Sequence, residues 1–124
     1  MGNVGIVQTA YDSFATGDIP AIVELMDASV EWSSPMTLPQ GGQFSGTAGA
    51  IQFFQGLGAS WESLGLTVES LGEVTPGTVV AVVSLSGELR SGGAGSYGAA
   101  HVFSLADGKI TRFREYTDLD KPID

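Results

Sequence analysis

From residue 64 to residue 117 the chain shows no helical periodicity and is a succession of β-forming runs cut by turn signals. Thr75-Pro76-Gly77 separates 64–74 from 78–89, and Ser91-Gly92-Gly93-Ala94-Gly95 separates 78–89 from 96–105. Ala106-Asp107-Gly108 then leads into 109–117. Four consecutive strands joined by short turns pair antiparallel, so nearly half of the chain is committed to a sheet. The first half reads differently. Val4, Ile6, Val7, Ala10, Tyr11 and Phe14 recur with spacings of three and four dominant, which reads as an amphipathic helix, and Gly17 closes it. Asp18 is placed to cap a second helix with Pro20 in its first turn, running to about Met26. Val30-Glu31-Trp32 reads as a short strand, and Pro35, Pro39 and Gly41-Gly42 make a loop. A third helix opens at Thr47, its expected buried stripe being Ile51, Phe54 and Leu57 or Phe53. Helices first and a meander of strands afterwards is an α+β pattern, in one domain spanning 1–124.

Composition removes several functions. Net charge is −9, and all five Lys and Arg (Arg90, Lys109, Arg112, Arg114, Lys121) fall in the last third. Nucleic-acid binding and attachment to an anionic membrane surface both need a basic footprint, so neither is expected. The chain has no cysteine, which removes disulfides, thiolate nucleophiles and Cys-ligated zinc, and fits a reducing compartment such as the cytoplasm. Its one histidine is too few for a multi-histidine metal site within one chain. No basic residue precedes the apolar positions of 1–10, so a secretory signal is not expected. No apolar run approaches the roughly 20 residues of a spanning helix. Gly41-Gly42 and Gly92-Gly93 lack the strand–helix context of phosphate loops. Asp118, Asp120 and Asp124 read as a solvated acidic tail rather than a cation site.

The last hairpin is where chemistry is expected. Two loop lengths are possible: a two-residue loop Asp107-Gly108 would pair Ala106 with Lys109, and a three-residue loop Ala106-Asp107-Gly108, preferred because it sets Gly108 where positive φ is required, would pair Leu105 with Lys109. Phe103 then faces Thr111, His101 faces Phe113, Ala99 faces Glu115 and Tyr97 faces Thr117. One face carries Tyr97, Ala99, His101, Phe103, Phe113 and Glu115. The other carries Ile110, Arg112, Arg114 and Tyr116 and is partly solvated. An apolar face bearing one imidazole and one carboxylate is what a reactive pocket looks like. His101 and Glu115 would be diagonal neighbours, about 7–8 Å apart at Cα. Glu31 and Trp32 straddle the first strand, so one of them faces the pocket; Glu31 there would supply a second carboxylate. Trp32 and Trp61 are otherwise core or pocket wall.

Several motifs are also familiar together: Tyr11-Asp12-Ser13-Phe14-Ala15-Thr16-Gly17-Asp18, Val30-Glu31-Trp32 before Pro35, and Phe44-Ser45-Gly46 before Ile51-Gln52-Phe53-Phe54. The strongest is 108–118, Gly-Lys-Ile-Thr-Arg-Phe-Arg-Glu-Tyr-Thr-Asp. In order and spacing they resemble the NTF2-like superfamily, and within it the SnoaL-like polyketide cyclases, ketosteroid isomerases and limonene-type epoxide hydrolases. The resemblance implies a cystatin-like cone, a curved antiparallel sheet wrapped around three N-terminal helices, with a deep pocket and usually a homodimer. It implies that the acid/base carboxylate of the cyclases, normally an aspartate on the last strand, falls at Glu115. The Arg-x-Asp pair of the epoxide hydrolases is absent from Val83-Ser84-Leu85-Ser86, and their water-holding residues fall at about Glu31 and Ser33. Epoxide hydrolysis is therefore not expected. The oxyanion-donor set of the ketosteroid isomerases is not placed either.

The expectation is an enzyme without a cofactor, acting by proton transfer (isomerisation, cyclisation or hydration) on a small apolar, cyclic or polyketide-like compound. Glu115 takes or gives the proton and His101 shares or orients it. Tyr97, Glu31 or Ser33 fix a substrate oxygen, with Trp32, Ala99, Phe113 and Thr117 around the substrate. The alternative is a non-catalytic module that binds a small ligand or mediates protein association.

Overall fold

A computed structural model describes residues 2–119. Helix α1 (Asn3–Ala15) ends at Gly17, whose φ of +75° closes the turn. Asp18 caps α2 (Ile19–Glu24) by accepting the Ala21 N–H at 3.2 Å. Strand β1 (Met26–Ser34), a short β2 (Gly42–Ser45) and α3 (Gly46–Ser60) follow. Four long strands complete the chain: β3 (Trp61–Thr75), β4 (Thr78–Leu89), β5 (Ala94–Ala106) and β6 (Lys109–Thr117).

The six strands form one curved, unclosed sheet in the order β2-β1-β6-β5-β4-β3, with the helices against its inner face. The sheet is mixed rather than antiparallel throughout. The last strand inserts between β1 and β5, so β6 runs parallel to β1 (Trp32 opposite Phe113) and antiparallel to β5. Strand β2, expected as loop, is a four-residue antiparallel edge on β1 with no hydrophobic alternation to announce it. The buried stripe of α3 is Gly49, Ala50 and Phe53, not one containing Ile51, which is 40% exposed. Gly49 lets the helix press on β2, since a Cβ there would meet the Phe44 backbone at 3.1 Å. This close approach turns Ile51 outward, while Phe54 and Leu57 stay half-buried.

The β5–β6 hairpin differs in detail from the expected register. Its loop has two residues, Asp107 and Gly108 at φ +52° and +76°, and Ala106 pairs with Lys109. Two successive left-handed residues give the primed turn that suits twisted strands. The extra residue lies further along: Leu105 pairs with Ile110 but Ser104 with Arg112, so Thr111 is a bulge, its hydroxyl donating to the Ser104 carbonyl at 3.1 Å. Ile110, expected on the solvated face, is therefore fully buried. Beyond the bulge Phe113 and Glu115 face inward as well. Leu105, Ile110, Phe103, Phe113 and Trp32 join α1 and α2 residues in one core cluster, while Leu38, Trp61, Leu85 and Tyr97 form a second. Among the described residues no helix is long and apolar enough to cross a membrane. Asp118 accepts the Gly98 N–H at 3.0 Å, and Asp120 and Asp124 lie outside the described residues.

Candidate active site

Four elements bring a chain of polar atoms into the apolar interior. The bulge makes His101 on β5 and Glu115 on β6 direct cross-strand partners, and His101 Nε2 lies 2.8 Å from Glu115 Oε2. Both side chains are almost wholly withdrawn from solvent, 6% and 3% exposed. From β1, Ser34 donates its hydroxyl to Glu115 Oε1 at 2.5 Å. From α1, the Tyr11 hydroxyl meets His101 Nδ1 at 2.7 Å. The order is Tyr11–His101–Glu115–Ser34.

The donor inventory fixes one fully satisfied arrangement with an ionised Glu115. Ser34 and the Nε2–H of a neutral His101 donate to the carboxylate, and Tyr11 O–H donates to the bare Nδ1. If His101 gains a proton, Nδ1–H donates to the Tyr11 oxygen instead, and the Tyr11 hydrogen is freed for another acceptor. Burial, and secondarily the nearby Glu115 charge, push the Tyr11 phenol well above its ordinary range, so it stays protonated.

A cavity of about 70 Å³ lies against this chain. Its walls include Tyr11 and Phe14 of α1, Trp32 of β1, Phe53, Phe54 and Leu57 of α3, Tyr97, His101 and Phe103 of β5, and Phe113 and Glu115 of β6. Trp32 and Phe113 stack with ring centroids 4.0 Å apart. Among the described residues no lysine or arginine lines it. At its edge Gln40 accepts the Trp61 Nε1–H at 3.1 Å, which directs its amide N–H toward the Tyr97 oxygen at 3.4 Å. The Tyr97 phenol is also raised, by burial first and by Glu115 second, with the Gln40 hydrogen bond opposing. Among the described residues no group of three His, Asp or Glu side chains is placed to hold a metal ion.

The expected site residues divide. Glu115, His101, Tyr97, Trp32 and Phe113 line the cavity. Ala99 is buried beside Tyr97 in the second core cluster, outside the cavity wall. Glu31 is exposed on the outer face and accepts a hydrogen bond from Ser45 at 2.8 Å. Ser33 and Thr117 are half-buried along an outer groove. The correction for Glu31 and Ser33 has one cause. Val30, Trp32 and Ser34 are the buried alternation of β1, so the inward hydroxyl is that of Ser34.

Tyr11, Ser34 and Gln40 were not anticipated. Tyr11 was visible as a phenol on the apolar stripe of α1, and Ser34 as the next residue in phase with Trp32. Nothing in the sequence around Gln40 signals its place.

The model of the SnoaL-like domain family matches residues 7–113. No curated protein matches the sequence significantly. Among solved structures, an NTF2-like protein of unknown function from Burkholderia pseudomallei superposes with a TM-score of 0.86 at 20% identity, over 95% of this chain and 92% of its own. TerC co-crystallised with polyporic acid gives 0.81 at 24% identity, over 94% and 91%. A Mycobacterium tuberculosis protein in complex with estradiol-17β-hemisuccinate gives 0.77 at 21%, over 93% and 92%. At these identities the structural likeness establishes the NTF2-like fold. With the family model covering most of its length, the chain belongs to the SnoaL-like domain family.

Proposed function

We propose that the protein catalyses proton transfer on a neutral, apolar, cyclic or polyketide-like compound, in an isomerisation, cyclisation or hydration that needs no cofactor. The observation that carries this reading is the buried Tyr11–His101–Glu115–Ser34 chain beside an apolar cavity. Glu115 is the base: a substrate C–H or O–H proton passes to a carboxylate lone pair, and the same proton is returned at another position. His101 orients the carboxylate by donating its Nε2–H to it, and stays neutral. The Tyr11 hydrogen, held on the bare Nδ1, can turn to a substrate oxygen on which negative charge develops. Tyr97, whose oxygen accepts from Gln40, keeps its own hydrogen for the same purpose. A cavity that no lysine or arginine lines among the described residues supports a neutral ligand, because an anion would meet Glu115 with no counter-charge from them. The cyclic bodies of the compounds held by the TerC and M. tuberculosis structures support a ring system. The test is exchange of α-protons of neutral cyclic ketones in heavy water. Wild type should accelerate exchange and Glu115→Gln should lose at least about tenfold; turnover surviving within about threefold in Glu115→Gln refutes the assignment.

A second reading, a binding module without turnover, is favoured by the two oxygens of Glu115 both being engaged by protein donors. Tight binding of the same ketones with no exchange selects it.

A further inference from the structure

The cavity of about 70 Å³ is roughly half of the 150 Å³ that accommodates one benzene ring, so a cyclic ligand enters only if a wall moves. We propose that the strap 35–41, between β1 and β2, is that wall, and that Leu38 and Gln40 are its latch and thereby determine which ligands are admitted. The proposal rests on the functional reading above only for the ring-shaped occupant.

Most of the wall is bound into helices or into the sheet ladder. The strap is folded by two local hydrogen bonds, Leu38 N–H to the Pro35 carbonyl at 3.1 Å and Gly41 N–H to the Leu38 carbonyl at 3.0 Å. It is closed by side chains. Leu38 is 3% exposed and packs in the cluster of Trp61, Leu85 and Tyr97. Gln40 bridges Trp61 and Tyr97, and its 3.4 Å contact to Tyr97 is at the weak end for a hydrogen bond. The closed position carries a cost, because the Thr37 hydroxyl is buried without a hydrogen-bond partner. Opening would relieve it.

Glu115 locates the opening. It lines the interior cavity, and it also lines a groove on the outer surface with Ser34, Pro35, Met36, Thr37 and Tyr116. Strap residues and Glu115 line the groove together, and Gln40 of the strap lines the cavity, so lifting the strap joins the two spaces at the reactive group. Two glycines suit the strap's far end. A Cβ on Gly41 would meet the Pro35 oxygen at 2.0 Å, and Gly42 holds φ +148°. At the near end Ser34 directly precedes Pro35, so strap motion is transmitted to the hydroxyl that holds Glu115 Oε1. Gate and carboxylate are mechanically joined.

The test uses a neutral naphthalene ketone fluorophore, prodan, mixed rapidly with the whole protein. For wild type the observed binding rate should level off with probe concentration at the opening rate of the strap. Leu38→Ala and Gln40→Ala should each raise that plateau about tenfold. Hydrogen exchange should show the amides of 35–41 opening more often than those of β5 and β6, and faster still in Gln40→Ala. A rate linear in probe concentration and equal in wild type and both variants overturns the gate. So does strap protection equal to that of β5, or a latch variant that still admits no probe. Failure of the catalytic reading is separate: Glu115→Gln retaining turnover while the latch variants shift the plateau refutes the base and upholds the gate.

Discussion

His101 and Glu115 face each other directly across β5 and β6, Nε2 to Oε2 at 2.8 Å, and each is the other's deepest polar contact. Removing one partner should cost more than the pair contributes, because the survivor stays buried. His101→Ala leaves the carboxylate beside an apolar hole and should destabilise by about 3–5 kcal/mol. Glu115→Gln keeps the shape and an acceptor for one donor, and should cost about 1–3 kcal/mol. Urea unfolding of both single variants and the double variant measures this. The double variant should fall well short of the summed losses; strict additivity would mean the two groups do not interact.

Adjacent serines separate the two faces of β1. Ser34→Ala strands one carboxylate oxygen and should cost about 1–3 kcal/mol. Ser33→Ala, half-buried on the outer groove, should stay within about 0.5 kcal/mol. Equal effects on the unfolding midpoint would contradict the orientation of β1 and the four-residue chain with it.

How much of this was legible turns on one residue. The alternation of β5 and β6 placed His101, Phe103, Phe113 and Glu115 on one face provided that one extra residue entered the hairpin somewhere. The sequence suggested Gly108 in the turn, whereas the structure puts the extra residue at Thr111. Either position yields the same face. Only the observed one sets His101 opposite Glu115 instead of opposite Phe113, because the register moves by two. Without any insertion, the two-residue loop would turn Arg112 and Arg114 inward. The helix stripe announced that Tyr11 is inward but not what its hydroxyl meets, since that depends on how α1 lies on the sheet. Gln40 sits in a stretch without periodicity, and its partners Trp61 and Tyr97 are distant in sequence. Deleting Thr111 tests the bulge: Arg112 would follow Ile110 in regular alternation, so Phe113 and Glu115 keep their inward face and the variant should fold with native-like near-ultraviolet dichroism. Loss of that dichroism in the deletion variant would show that the face is set elsewhere.

The buried phenols set an alkaline limit. Tyr11 and Tyr97 are both raised in the folded protein, by burial first and by Glu115 second. In the unfolded chain a tyrosine ionises at about pH 10. Above that pH the unfolded state loses protons that the folded state keeps, so the unfolded state binds fewer and stability falls as pH rises. Below about pH 10 the contribution is fully present. Above it each phenol should lower stability by up to about 1.4 kcal/mol per pH unit until it ionises in the folded state. Tyr97→Phe should remove about half of the slope and Tyr11→Phe the other half, each also deleting phenolate absorbance that otherwise develops only as the protein unfolds. Denaturant unfolding across that alkaline range, followed alongside phenolate absorbance, makes the measurement. A slope unchanged in both variants would mean that neither hydroxyl is shielded from water, and the Tyr11–His101 contact would then lack the buried setting that keeps its hydrogen in place.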